Sequence, residues 1–136
     1  MIKIIIVAHG ELAQKLLSSA EMIAGKHPNI YALNRGSQDS LANMQVKIDS
    51  LLKNISDEDG VLILTDMIGG TPCNAAAPTC RSFNTEILAG VNLPMVLSAL
   101  FAVKTAKDVS ELADKVFIDG QKSVINVKKM LLSKMK

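Results

Sequence analysis

A histidine, an aspartate and a Gly-Gly-Thr-Pro run are the residues of this sequence best suited to chemistry, and each lies at or just beyond an apolar stretch. His9 closes the run Ile2 to Ala8, Asp66 closes Val61 to Thr65, and Gly69-Gly70-Thr71-Pro72 follows Asp66 almost at once. An imidazole is partly neutral at physiological pH and is then a nucleophile able to attack phosphorus. A carboxylate bonded to one ring nitrogen fixes the tautomer, leaves the other nitrogen's lone pair aimed at the incoming atom, and stabilises positive charge developing on the ring. A glycine-rich turn opening a helix adds flexible backbone, N–H donors and the Thr71 hydroxyl, which together suit phosphate oxygens. Gly10, between His9 and the first helix, belongs with Gly69, Gly70 and Thr71 as a phosphate-binding position. Two glycines before a helix are by themselves ordinary turn chemistry; His9 and Asp66 at neighbouring strand ends give them weight.

Other candidates are weaker. Arg35, following the short second strand, can reach a phosphoryl group or the acidic face of a partner, although an exposed loop arginine is the commoner outcome. Asn92, in Val91-Asn92-Leu93-Pro94, is expected to order its turn by backbone hydrogen bonds and so shape the far wall of the site. His27 precedes Pro28 in a polar connection and reads as a solvated loop residue. Cys73 and Cys80 match neither a redox pair nor a zinc knuckle, and read as reduced core thiols on one helix from Cys73 to about Arg81. Only His9 and Asp66 converge among possible ligands, so neither a metal site nor a cofactor is expected.

The elements that must position these residues alternate. Residues 2–8 are a β-branched apolar run suited to a strand buried on both faces. Glu11 to Ala24 places Leu12, Leu16, Ala20 and Ile23 at helical spacing, with Gly25 as C-cap. A short strand from Ile30 to Leu33 leads to a helix from about Asp39 to Asn54 carrying Leu41, Met44, Ile48, Leu51 and Leu52. Strands at Val61 to Thr65 and Thr85 to Ala89 follow, then a helix opened by Leu93-Pro94 and running to about Val103. A last helical stretch from Asp108 towards Leu132 is expected to kink or divide at Gly120. The pattern predicts an α/β fold, a doubly wound, mainly parallel sheet with helices on both faces, as one domain over residues 1–136. Ligands of such sheets bind beyond the carboxyl ends of the strands, which is where His9, Arg35, Asp66 and Asn92 fall.

Composition narrows the alternatives. With 49% hydrophobic but 3% aromatic residues, the core of this 136-residue chain must be aliphatic. A net charge of +2, without a basic cluster interleaved with aromatics, argues against nucleic acid. The tail lysines Lys128, Lys129, Lys134 and Lys136 read as cations at a helix C-terminus. The N-terminal apolar run is too short for a signal peptide, and no stretch reaches a membrane span, so a cytoplasmic protein without membrane insertion is expected.

Three segments carry a resemblance: Val7-Ala8-His9-Gly10, the stretch from Thr65-Asp66-Met67-Ile68 through Gly69-Gly70-Thr71-Pro72 to Cys73-Asn74-Ala75-Ala76, and Ala89-Gly90-Val91-Asn92-Leu93-Pro94-Met95. In order and spacing they resemble the enzyme IIA component of mannose-family sugar phosphotransferase systems, over nearly the whole chain. The resemblance implies that His9 accepts a phosphoryl group on Nε2 from the phosphocarrier protein HPr and passes it to a IIB component, while Asp66 bonds the other ring nitrogen. It also implies a homodimer, in which relatives exchange a C-terminal strand; here Val124 to Met130 reads equally well as strand or helix. Thr71 stands where the family usually has serine and keeps the hydroxyl. Met67 and Ile68, more often polar or aromatic in relatives, are expected to form an apolar docking rim. A chain of this length reads as a separate subunit.

Two other classes compete. A hydrolase using His9 and Asp66 to activate Thr71 lacks the G-x-S-x-G elbow. A regulatory or small-ligand domain of the same fold would be favoured by loss of the acceptor histidine, which is present.

Overall fold

A computed structural model describes residues 1–135. Four strands, β1 (Lys3–His9), β2 (Ile30–Arg35), β3 (Val61–Thr65) and β4 (Thr85–Ala89), form one wholly parallel sheet in the order β2-β1-β3-β4. Seven helices occur among the described residues: α1 (Leu12–Ala24), α2 (Leu41–Ile55), α3 (Thr71–Ala76), α4 (Thr79–Ser82), α5 (Leu93–Ala102), α6 (Val109–Gln121) and α7 (Val127–Lys134). The expected doubly wound α/β arrangement is observed.

Alternation along β1 builds both layers, because successive side chains of a strand point to opposite faces. Ile4, Ile6 and Ala8 pack with buried residues of α1, α5 and α6. Ile5 and Val7 pack on the other face with Met44, Ile48 and Leu52 of α2 and Ala75 and Ala76 of α3. A strand buried on both sides has no polar face, which explains the unbroken apolar sequence from Ile4 to Ala8.

Several expectations are corrected. In α1 the buried residues are Ala13, Leu17 and Ala20, while Leu12 and Ile23 are exposed. Two apolar stripes one residue apart fit the same helical period, and the one carrying small Ala13 lets the helix approach the sheet closely. In α2, Leu41 is likewise exposed. The single helix expected through Cys73 and Cys80 is two, α3 and α4, parted at Ala77-Pro78. Proline lacks the N–H that would continue α3 and its ring clashes with the preceding turn. Cys80 is consequently exposed and Cys73 half-buried, so neither is a core thiol.

The C-terminal stretch divides after Gly120 rather than at it: Gly120 lies inside α6, where an added Cβ would meet Met95 Cγ at 2.7 Å. The break falls between α6 and α7, where the Ser123 hydroxyl donates to the Gly120 carbonyl at 2.7 Å. Val127 to Met130 is helical, and α7 buries none of its residues. Lys128 and Lys129 occupy its first turn, not its last; Lys134 is in the last turn, and Lys136 lies outside the described residues. Among the described residues no helix is long and apolar enough to cross a membrane.

Candidate active site

The site begins where two ladders end unequally. Pairing of β1 with β3 stops at Val7 opposite Thr65, whereas pairing with β2 continues to His9 opposite Arg35. The β3 side of the sheet therefore offers no strand carbonyl to the His9 N–H. The Asp66 carboxylate takes that place: its Oδ2 accepts from the His9 backbone N–H at 2.9 Å and lies 2.6 Å from the His9 ring Nδ1. Its Oδ1 accepts from the Met67 N–H at 2.9 Å. One side chain thus anchors the end of β1, orients the ring and closes its own turn.

Burial is the largest influence on the Asp66 carboxyl and pushes its pKa up, but the His9 N–H, the His9 ring and the Met67 N–H together hold it below the usual value of 3.8. An ionised Asp66 accepts a proton-bearing Nδ1, so the neutral ring presents its lone pair on Nε2. The exposures match these roles: the His9 side chain is 43% accessible and that of Asp66 12%. The nucleophile faces outwards while its orienting group is sheltered.

Two glycines shape the opposite wall for different reasons. Gly69 has φ +86°, a conformation L side chains rarely adopt. Gly70, the N-cap of α3, has ordinary backbone angles but no room, since a Cβ there would lie 2.9 Å from His9 Cε1. It is therefore α3, beginning at Thr71, whose first turn lies against the imidazole; α1 starts only at Leu12, after Gly10 and Glu11. At this end of α3 the Thr71 and Cys73 N–H groups have no intrahelical partner, and Pro72 between them carries none. Thr71 is half-buried, and no hydrogen bond joins it to His9 among the described residues.

The remaining candidates are placed as follows. Arg35 is the last residue of β2 and half-buried, not an exposed loop arginine. Its carbonyl accepts from the Gly10 N–H at 2.8 Å, and its shielded Nε has no acceptor among the described residues. Met67 and Ile68 are exposed beside the site, Ile68 at 83%. Asn92 sits at the end of β4, the sheet's edge strand, and is not bonded to His9 or Asp66 among the described residues. It caps α5 by accepting from the Met95 N–H at 2.9 Å and donates to the Ser123 hydroxyl at 2.9 Å. His27 is half-buried rather than solvated; burial first, then Lys104, lowers its pKa, and its Nδ1 accepts from the Asn29 N–H.

Asp39, expected only as the start of a helix, lies ahead of α2, where its Oδ2 accepts from the Gly36 N–H at 2.9 Å and from Lys47 Nζ at 2.8 Å, closing the loop after Arg35. The Gly36-x-x-Asp39 spacing ahead of a helix was the available signal. A concavity of ≈ 510 Å³ between α5 and α6, lined by Phe101, Leu112 and Asp119 among others, contains none of the site residues. His9 stands instead on an open sheet edge, a geometry suited to meeting another macromolecule.

A model of the family described as "PTS system fructose IIA component" matches residues 3–127. The fructose-specific EIIA component of Bacillus subtilis is 39% identical over 101 residues, 74% of this chain and 69% of that protein. The mannose-specific EIIAB component of Escherichia coli K12 is 32% identical over 124 residues, which are 90% of this chain and 38% of that protein. The crystal structure of EIIA from Streptococcus agalactiae superposes with a TM-score of 0.86 at 32% identity, covering 95% of this chain and 99% of that one. The mannose/sorbose-specific IIA subunit from Enterococcus faecalis gives 0.84 at 33%, covering 91% and 92%. With matches of this extent in both sequence and fold, the chain belongs to the mannose-type EIIA family, the IIA components of sugar phosphotransferase systems.

Proposed function

We propose that the chain is a cytoplasmic phosphoryl carrier whose acceptor is Nε2 of His9, charged by phosphorylated HPr and discharged to a IIB component for sugar uptake. The observation that carries this reading is the 2.6 Å contact between His9 Nδ1 and Asp66 Oδ2, made by a ring whose other nitrogen has no hydrogen-bond partner among the described residues and whose side chain is 43% accessible. The Nε2 lone pair attacks the phosphorus in line; the bond to the donor breaks and its electron pair leaves on the donor atom. The Nδ1 proton stays in the hydrogen bond to Asp66, whose charge stabilises the ring as it becomes cationic. Catalysis of this kind is chiefly positioning and charge stabilisation. Gly10, Gly69, Gly70 and Thr71 are the positions assigned to surround the phosphoryl oxygens; the donors are the Thr71 and Cys73 N–H groups and the Thr71 hydroxyl, since the Gly10 N–H is held by the Arg35 carbonyl and Pro72 has no N–H.

Met67 and Ile68 form an apolar rim for the partner proteins, and the working form is a homodimer. The hydrolase alternative loses ground because, among the described residues, no hydrogen bond joins Thr71 to His9 to activate it as a nucleophile. The small-ligand alternative loses ground because the concavity between α5 and α6 excludes His9.

The test is intact-mass analysis, kept alkaline because phosphohistidine is acid-labile, after incubation with phosphoenolpyruvate, enzyme I and HPr. Wild type should gain one phosphate and His9→Ala none. No adduct on wild type, with HPr demonstrably charged, would refute the carrier.

A further inference from the structure

We infer that Arg35 is a further catalytic residue of this site, its guanidinium binding the phosphoryl group while that group is on His9. The inference rests on the carrier reading and adds to it the cation that the phosphoryl oxygens meet.

Placement comes first. His9 and Arg35 are register partners at the carboxyl ends of adjacent parallel strands, and the Gly10 N–H to Arg35 carbonyl bond of 2.8 Å locks that register. Partners in register project to the same side of a sheet. Their side is identified by the residues below them: Ile5 and Val7 of β1 and Tyr31 and Leu33 of β2 all belong to the core layer under α2 and α3. Imidazole, guanidinium stem and the first turn of α3 therefore share one face of one sheet edge.

Chemistry comes second. A phosphorylated His9 brings roughly two negative charges beside Asp66, already an anion. A nearby cation offsets that repulsion. Arg35 supplies a permanent charge on a planar fork suited to phosphate oxygens. Its acidic neighbour Asp39 feels the Arg35 charge, but makes its hydrogen bonds to Lys47 and to the Gly36 N–H and leaves the guanidinium donors unused. The Arg35 Nε, shielded and without an acceptor among the described residues, is a donor ready for an incoming oxygen.

An arginine that only helps a partner dock and one that binds the phosphoryl group differ in a thermodynamic quantity. Docking accelerates transfer from HPr and back to HPr alike, leaving unchanged the equilibrium constant for phospho-HPr plus this chain against HPr plus phosphorylated chain. Contact with the phosphoryl group in the charged protein changes that constant. The experiment equilibrates phospho-HPr with wild type, Arg35→Gln or Arg35→Lys, and measures the phosphate on each protein by alkaline intact mass. Phosphorus NMR then gives the second ionisation of the phosphoryl group on each variant. Arg35→Gln should shift the equilibrium roughly tenfold towards phospho-HPr, the loss of one charge-assisted hydrogen bond, and raise the phosphoryl pKa. Arg35→Lys should recover part of both, since charge returns without the fork. An unaltered equilibrium constant and phosphoryl pKa in Arg35→Gln would overturn the assignment, whether or not the rates fall. A wild type that accepts no phosphate at all would overturn the carrier reading itself, and the two failures are thereby told apart.

Discussion

Two neighbouring strand ends in this molecule are built alike and do different work. Asp66 follows β3 and Asn92 follows β4; each is a polar side chain at a carboxyl end, and each accepts backbone N–H groups. Asp66 faces β1 across the sheet and finds a histidine there, so its second contact is an imidazole nitrogen. Asn92 closes an edge strand with no residue of that kind beside it, and its second contact is Ser123, which ties α5 to the end of α6. Position after a strand makes a residue a candidate, but the strand order decides whether it has anything to act upon.

The comparison is tested most severely by making the two corners resemble each other. Asp66→Asn keeps the shape and removes the charge that orients and stabilises the ring; phosphoryl transfer to His9 should slow by on the order of a hundredfold to a thousandfold, measured by rapid quench, with the circular dichroism spectrum unchanged. An unaltered rate would place the two corners in the same structural class. Gly70→Ala comes next: a Cβ 2.9 Å from His9 Cε1 must displace the ring, and transfer should fall by about tenfold at nearly native stability. Asn92→Ala should do the reverse, lowering stability by about 1 kcal/mol through loss of a helix cap in a urea titration while leaving transfer intact.

The smallest effect separates the corners by pH. Because the folded Asp66 pKa is depressed below 3.8, its contribution to stability is present above that value and is lost as pH falls through the lower, folded value. Wild type should lose stability on acidification with a component that Asp66→Asn lacks and Asn92→Ala retains, visible as a difference between their denaturation midpoints at neutral and acid pH.

Much of this architecture was legible because parallel strands covered on both faces must be apolar throughout, and three of the four read as such runs. The misreadings share a cause. Which stripe of α1 faces inward depends on how closely the sheet lets it approach, so Ala13 and Leu17 displaced Leu12 from the core. Gly120 carries the conformational signature of a break, yet it serves as the place where Met95 of α5 fits against α6. Val127 to Lys134 is helical by local preference, with an Asn126 cap at 3.0 Å to the Lys129 N–H, although none of its residues is buried. A periodicity says that a face exists without saying what covers it.

The site divides in the same way. Sequence by itself determined the chemical inventory: a nucleophilic histidine and an aspartate at strand ends, and a glycine-rich turn opening a helix, because residue type and apolar punctuation are local properties. The tertiary structure agrees with the expected place of β3 beside β1, and it alone decided that their ladder stops short so a carboxylate inherits the His9 N–H, that Gly70 is demanded by the imidazole rather than by its own backbone, and that Arg35 shares the face of His9. Each of these depends on distances between segments far apart in the chain, and such distances are set by the packing of the whole sheet.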